Sequence, residues 1–264
     1  MMIAELMIGS ALAGSWIYLQ SQRTKLYIKL ACRMREIVAT DPVEFDCSVH
    51  AVPSFSDRIA IVPNFLPQQG FAILRAAIIR LLTYERSFVP AHKKGGTVAY
   101  DMLITAAPSL VALYHSATLR EFVSRVVGAR VHPTPLNDQS SLSVLFYDRP
   151  GDHIGWHFDH NFYRGRHFTL LLTMLNEGHS EGDLSNAVLI TRAGPSEIEV
   201  HTPANTLVVF ERARVCHKVT PILAGERRIM LSMTYCTDPR AHWWQGVCRR
   251  IKDTAFFGLR ALWT

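Results

Sequence analysis

Two residues in the stretch GWHFDHNFYRGRHF, residues 155–168, have the types and spacing of metal donors: His157 and Asp159. Side chains alternate faces along a strand, so these two point to one side and Phe158 to the other. An imidazole and a carboxylate on one face can take two adjacent positions around a divalent ion. A third donor must come from elsewhere, and His217 is the best candidate. It opens a strand just after the turn-like ERAR, 58 residues beyond Asp159, and alternation turns Cys216 away from it. Two histidines and one carboxylate leave three coordination positions open, enough for a bidentate oxo-acid and for O2. A diacid also needs a buried cation at its far end. Arg227 lies ten residues after His217, across the short TPILAG connection. If the flanking strands pair as a hairpin, its guanidinium faces the same cavity and can grip a carboxylate bidentately. Arg228 is its rival, because one of the pair faces inward and the other faces solvent.

The neighbouring histidines allow a zinc reading. His153 and His157 are four apart, but GDHIGWHFD is not helical and the glutamate of an HExxH motif is missing. His153, His160 and His167 fit better at the rim or behind the ligands. Trp156 and Phe162 are either a substrate lip or core. Arg164 and Arg166 either meet an anionic substrate or belong to a solvated loop.

Elements of the right kind surround these residues. From Leu142 onward, short runs rich in β-branched and aromatic residues predict strands at 142–148, 153–159, 167–176, 187–192, 196–202, 205–211, 215–221 and 227–236. Turn residues in RPGD, NEGHSEGD, RAGP and LAGE separate them. Eight short strands at regular spacing suggest a β-sandwich or jelly roll. Upstream, IAIVPNFLPQQGFAILRAAIIRLL reads as a strand, a turn and an amphipathic helix starting near Pro67. A further helix is expected over 108–127, ended by Gly128. Residues 241–263 return to a helical period. Trp244, Val247, Ile251, Ala255, Leu259 and Leu262 lie on one side, and Arg249, Arg250, Lys252 and Asp253 largely on the other. That helix suits a membrane interface, the jelly roll or a second subunit.

Here the sequence resembles a family, the prolyl-4-hydroxylase-like branch of the Fe(II)/2-oxoglutarate-dependent oxygenases. The matching residues are HFD at 157–159, His217 and GERR at 225–228, in that family's order. VPNFLPQQ is similar to the family's opening strand and turn, LFYDRPGDHIGWHFD to its tyrosine–turn–HxD pattern, and RHFTLLLTMLN to its central strand. The resemblance covers roughly residues 55–237. It implies an α+β fold: a double-stranded β-helix, or jelly roll, with N-terminal supporting helices, a C-terminal amphipathic helix and the metal at the open end. His157, Asp159 and His217 would hold Fe(II), and Arg227 would bind the C5 carboxylate of 2-oxoglutarate. Tyr147 matches a tyrosine lining the cosubstrate pocket. Where the family often has a further tyrosine before LN, this chain has Met174, so that either the cosubstrate pocket is less polar than usual or Thr173, Thr169 or Tyr147 compensates. The implied reaction converts 2-oxoglutarate and O2 to succinate and CO2 while a C–H bond is hydroxylated, with ascorbate as an accessory reductant. Asp159 speaks against a halogenase, which would carry a small residue there to leave space for halide. A cupin-like module that binds a carboxylated ligand without turnover is the alternative from another class.

The net charge of +6 suits a nucleic acid, an anionic membrane or an acidic substrate. The paired arginines that the alkylation-repair branch places after its distal histidine are not seen, which argues against nucleic acid. Much of the basic charge flanks the ends of the chain, at Arg23, Lys25, Lys29, Arg33 and Arg35 and at Arg249, Arg250 and Lys252. Residues Ile3–Leu19 are apolar apart from Glu5 and two serines, and would reach about 26 Å as a helix, slightly short of a bilayer core of about 30 Å. They are either an anchor that keeps the catalytic domain on the cytoplasmic side or a helix packed on the body. The five cysteines, Cys32, Cys47, Cys216, Cys236 and Cys248, form no CxxC and no even framework, which suits a reducing, cytoplasmic compartment. The expected organisation is a hydrophobic N-terminal segment over 1–53, an oxygenase domain over 54–237 and a basic amphipathic helix over 238–264. A lipophilic or membrane-associated substrate follows from those ends, and a prolyl or other protein side chain follows from the resemblance.

Overall fold

Short runs of Val, Leu, Ile, Phe and Thr fill the chain beyond residue 140, and each strand they form has two faces to cover. The computed structural model describes residues 2–41, 43, 45–46, 49–81, 84–89, 93–193 and 196–258. The chain opens with α1 (Met2–Thr40), β1 (Ile59–Val62) and α2 (Gln68–Ile79), followed by β2 (Glu85–Val89) and β3 (Lys93–Val98). Three helices come next, α3 (Tyr100–Ala106), α4 (Pro108–His115) and α5 (Ala117–Val127). The strands β4 (His132–Pro133), β5 (Leu142–Tyr147), β6 (His153–His157), β7 (His167–Glu177), β8 (Leu189–Ala193), β9 (Ser196–Val200), β10 (Leu207–Glu211), β11 (Cys216–Val219) and β12 (Arg227–Cys236) precede α6 (Trp243–Phe257).

The strands run antiparallel in the order β1-β10-β7-β12-β5-β3-β6-β11-β8-β9, with β2 on β3 and β4 on β12. This curled sheet is the expected double-stranded β-helix, and β3 joins its halves by pairing with β5 on one side and β6 on the other. The β2–β3 hairpin is absent from the sequence expectation, because KKGGTV carries no apolar alternation. Gly96 serves close approach: a Cβ there would collide with the Tyr84 ring, which stacks on Phe146 at 4.6 Å.

The two faces of the central strands do different work. Leu170, Leu172, Leu231, Met233 and Tyr235 pack outward against the helices, with Leu110, Leu113, Tyr114 and Phe122. Leu171, Met230, Val208, Phe210, Leu189 and Val219 pack inward between the two halves of the sheet. Fully burying one such leucine or phenylalanine stabilises the fold by about 1.5–3 kcal/mol. The stretch expected as one helix over 108–127 is two. Ser116 breaks it and caps α5 by accepting a bond from the Leu119 N–H at 3.2 Å, while Gly128, at φ 65°, ends it as expected.

Both termini depart from simple expectations. The apolar stretch Ile3–Leu19 forms the first half of a 39-residue helix whose later residues Leu30 and Ile37 are buried, with α4 and α3 as its neighbours. Among the described residues no helix is long and apolar enough to cross a membrane; the side chains of residues 2–16 lie outside that description. Of the three settings left open for α6, the structure shows it docked on the body, through its largely polar face. It buries Gln245, Arg249, Asp253 and Phe257 against the body and leaves Trp243 83% exposed, with Trp244, Val247 and Ile251 also exposed. Specific polar bonds decide this. Arg249 donates to the Asn137 carbonyl, and Lys252 donates to Ser140 Oγ at 2.6 Å and pairs with Asp253 at 2.8 Å. Leu259 and Leu262 lie outside the described residues.

Candidate metal centre and its cavity

Antiparallel pairing of β6 with β11 puts His157 directly opposite His217, with ring centroids 4.1 Å apart. Asp159 follows just past the end of β6. Donor atoms of the three residues lie within 4.8 Å of one another, and among the described residues no other group of three His, Cys, Asp or Glu does so. The zinc reading built on His153, His160 and His167 therefore has no geometry. His153 bonds the Gly151 carbonyl, His160 stacks near Phe162, and buried His167 meets Arg212 Nη1 through Nε2 at 3.3 Å.

Each metal donor is oriented from behind. His157 Nδ1 contacts the Gly155 carbonyl at 2.9 Å, and His217 Nδ1 contacts the Val215 carbonyl at 3.2 Å. With Nδ1–H donating, both Nε2 atoms are left to bind a metal. Burial pushes His217 down to about 4, so its imidazole is neutral and ready to coordinate. The Thr169 hydroxyl donates to Asp159 Oδ2 at 2.7 Å, and Arg212 Nε lies 3.5 Å from the same oxygen. Burial opposes the charge of Asp159, yet Arg212 and the two imidazoles outweigh it and hold the carboxyl well below its ordinary range. Thr169, expected at the cosubstrate, gives its hydroxyl hydrogen to Asp159 and also lines the cavity beside the triad. Arg212 carried no signal in the sequence, where ERAR reads as a turn.

A cavity of about 200 Å³ opens on these residues, walled by Leu145, Ile154, Phe158, Leu171 and Phe210 and covered by Phe256 and Phe257 of α6. Phe158 forms its rim and is half exposed. Trp156 is neither lip nor core: it does not line the cavity and carries two cations, Arg192 and Lys218, 4.0 and 4.5 Å from its ring. Phe162 is buried beside Tyr163 and Cys236. Arg166 meets no substrate face, because Glu211 and the Val127 carbonyl hold it.

The inward-facing member of the arginine pair is the second, not the first as expected. Arg227 is exposed, whereas Arg228 is 1% exposed and points into the sheet interior. Alternation explains it: Ser232 and Thr234 of β12 line the cavity, and Arg228 shares their parity while Arg227 does not. Arg228 pairs across the sheet with Tyr147, whose ring centroid lies 5.9 Å from the guanidinium and which also lines the cavity. Its Nη2 donates to Thr202 Oγ1 at 3.1 Å, but Nε and Nη1 have no partner, nor does the Thr173 hydroxyl. Burial pushes Arg228 down to about 10, still charged at neutral pH, and pushes Tyr147 up to about 12. Met174 is not the gap in a polar pocket that the sequence suggested. It is skipped in the pairing of β7 with β12 and is buried in the helix-side core.

The residues present fit both groups that the resemblance implies. Two imidazoles and an ionised carboxylate suit Fe(II) and leave half its coordination sphere open. A buried guanidinium with two unpaired nitrogens suits one end of a diacid, since such groups are not left unpaired without cost.

A double-stranded β-helix with this triad at its open end is the architecture of the iron- and 2-oxoglutarate-dependent oxygenases, and the chain is an enzyme of that class. A family model described as Halogenase D matches residues 53–202, more than half of the chain, and the chain belongs to that family. Several solved structures share the fold. A prolyl hydroxylase from Trichoplax adhaerens, in complex with a hypoxia inducible factor oxygen degradation domain peptide, is 15% identical with a TM-score of 0.56, covering 69% of this chain and 84% of its own. The non-heme alpha ketoglutarate dependent epimerase SnoN from nogalamycin biosynthesis is 16% identical with a TM-score of 0.55, covering 68% and 76%. A 2OG-Fe(II) oxygenase family oxidoreductase from Burkholderia pseudomallei is 15% identical with a TM-score of 0.57, covering 77% and 100%. Identities this low speak for the fold alone. No curated protein matches the sequence.

Proposed function

We propose that this enzyme hydroxylates an unactivated C–H bond of a lipophilic or membrane-associated substrate, releasing succinate and CO2. The observation that carries the choice of hydroxylation is Asp159. A triad with three protein ligands would leave three metal positions, room for a bidentate oxo-acid and for O2. No position then remains for halide, despite the family's description. Ferrous iron bound by His157, Asp159 and His217 would supply O2 activation. Thr169 and Arg212 hold the carboxylate in place, and the Gly155 and Val215 carbonyls fix the two imidazoles. Arg228 takes the far carboxylate of 2-oxoglutarate in place of Arg227, with Tyr147 packed against it. Phe256 and Phe257 shield the cavity from water, which protects a reactive site from side reactions.

The lipophilic substrate is supported by the apolar cavity walls and by the exposed faces of the terminal helices. Trp243, Trp244, Val247 and Ile251 on α6, and Ile17 and Tyr18 on α1, face solvent, and exposed Lys25 and Lys29 lie close by in sequence. Tryptophan with basic neighbours suits a membrane interface.

The test is anaerobic binding of Fe(II) and 2-oxoglutarate, then O2-dependent succinate release with mass-spectrometric identification of the product. An added mass of one oxygen is expected for the wild type, with or without chloride. A chlorinated product from the wild type would overturn the hydroxylase reading, as would an epimerised product of unchanged mass. Asp159→Gly plus chloride is the counterpart that opens the position. Flotation on anionic vesicles, lost on deletion of residues 1–25 or in Trp243→Ser/Trp244→Ser, checks the membrane part.

A further inference from the structure

The metal cavity holds three basic side chains besides the triad, and two of them have counter-ions. Arg212 faces Asp159, and Lys252 pairs with Asp253 at 2.8 Å. The third, Lys93, is 4% exposed. Its ammonium donates to Thr97 Oγ1 at 3.0 Å and sits 4.6 Å from the centre of the Phe256 ring. No ion pair includes it among the described residues, so an ammonium with three donors has a hydroxyl and an aromatic face and no carboxylate.

We propose that Lys93 is the subsite for an anionic group of the substrate, a carboxylate or a phosphate carried on an apolar body. The proposal rests on the oxygenase reading and adds the chemistry of its substrate. A buried cation with no counter-ion is costly, and chains place one where an outside anion compensates it. Lys93 meets that condition in the cavity that holds the iron site. Ser143 and Ser232 line the same cavity and offer further hydroxyls, while Leu145, Ile154 and Phe158 offer apolar surface. The diacid cosubstrate does not use this lysine, because Arg228 answers its far carboxylate. Burial, with Lys252 nearby, pushes Lys93 down to about 7, and an arriving anion restores its full charge. The C–H bond attacked would then lie on the apolar body between the anion at Lys93 and the iron.

The test uses the full-length enzyme loaded anaerobically with Fe(II) and 2-oxoglutarate. Calorimetric titration compares hexanoate, hexyl phosphate and hexanamide, which share a chain and differ in charge. At least tenfold tighter binding of one or both anions than of the amide is expected, and which anion wins identifies the group. In Lys93→Met the preference disappears while 2-oxoglutarate binds as before, and in Lys93→Arg it returns. Equal binding of anions and amide by the wild type overturns the proposal, as does a preference that survives in Lys93→Met. Weakened 2-oxoglutarate binding in Lys93→Met also overturns it, by giving the lysine to the cosubstrate. If the wild type binds neither Fe(II) nor 2-oxoglutarate, the oxygenase reading itself has failed.

Discussion

The two polar regions inside the sheet are built on opposite principles. At the mouth, the triad is held by its own chain: carbonyls orient both imidazoles, Thr169 bonds the carboxylate, and Arg212 stands 3.5 Å from it as its counter-charge. At the other end of β12, Arg228 has one bond to Thr202 and two nitrogens with nothing to donate to. The first region is preorganised, so a metal entering it meets donors already in place. The second is incomplete, so it costs stability until an anion arrives. Unsatisfied buried groups in a native fold point to what the fold receives from outside.

Four measurements would break or sharpen that contrast. The largest effect belongs to His217→Ala, which should abolish Fe(II) binding and lower 2-oxoglutarate turnover by several orders of magnitude while circular dichroism shows an intact fold. Unfolding would mean that the imidazole is structural. Next, Arg228→Met should raise the KM for 2-oxoglutarate by roughly 30- to 1000-fold, the worth of a buried charge-assisted pair, whereas Arg227→Met should leave it alone. The reverse pattern would restore Arg227 to the role given by its position in the motif. Thr169→Val is a finer cut at the preorganised end. Loss of one bond to Asp159 should weaken Fe(II) affinity about tenfold, read by competition with a chelator, with unchanged affinity for 2-oxoglutarate.

The last measurement extends the idea of incompleteness to Lys93. Its folded value near 7 lies below the ordinary 10.5, so between these two pH values the unfolded chain binds the proton more readily. Wild-type stability should therefore rise from this group as pH climbs through that window, and the cost of burying the charge is fully present below pH 7. Lys93→Met should be more stable than the wild type at pH 7 by roughly 2–4 kcal/mol, with the gap closing toward pH 10.5. Parallel stability curves for the two proteins would show that the ammonium is already compensated.

Much of this was legible in the chain before any coordinates. His157, Asp159 and His217 declare themselves by residue type and order, and the eight strands from 142 onward by runs of β-branched and aromatic residues, because strand periodicity is local. What the sequence could not decide was which way a side chain faces when two neighbours are chemically alike. Arg227 and Arg228 differ only in parity, and parity is set by how β12 pairs with β5 and β7, the latter across an irregularity at Met174. The same holds for α6, whose apolar stripe left a membrane, the jelly roll and a second subunit equally open. Bonds from Arg249 and Lys252 to residues more than a hundred positions away turned the polar face inward. Lys93 and Arg212 are likewise ordinary basic residues in sequence. Only the closing of the sheet around them removes water and makes their charges matter, since burial is a property of the whole fold and of no single segment.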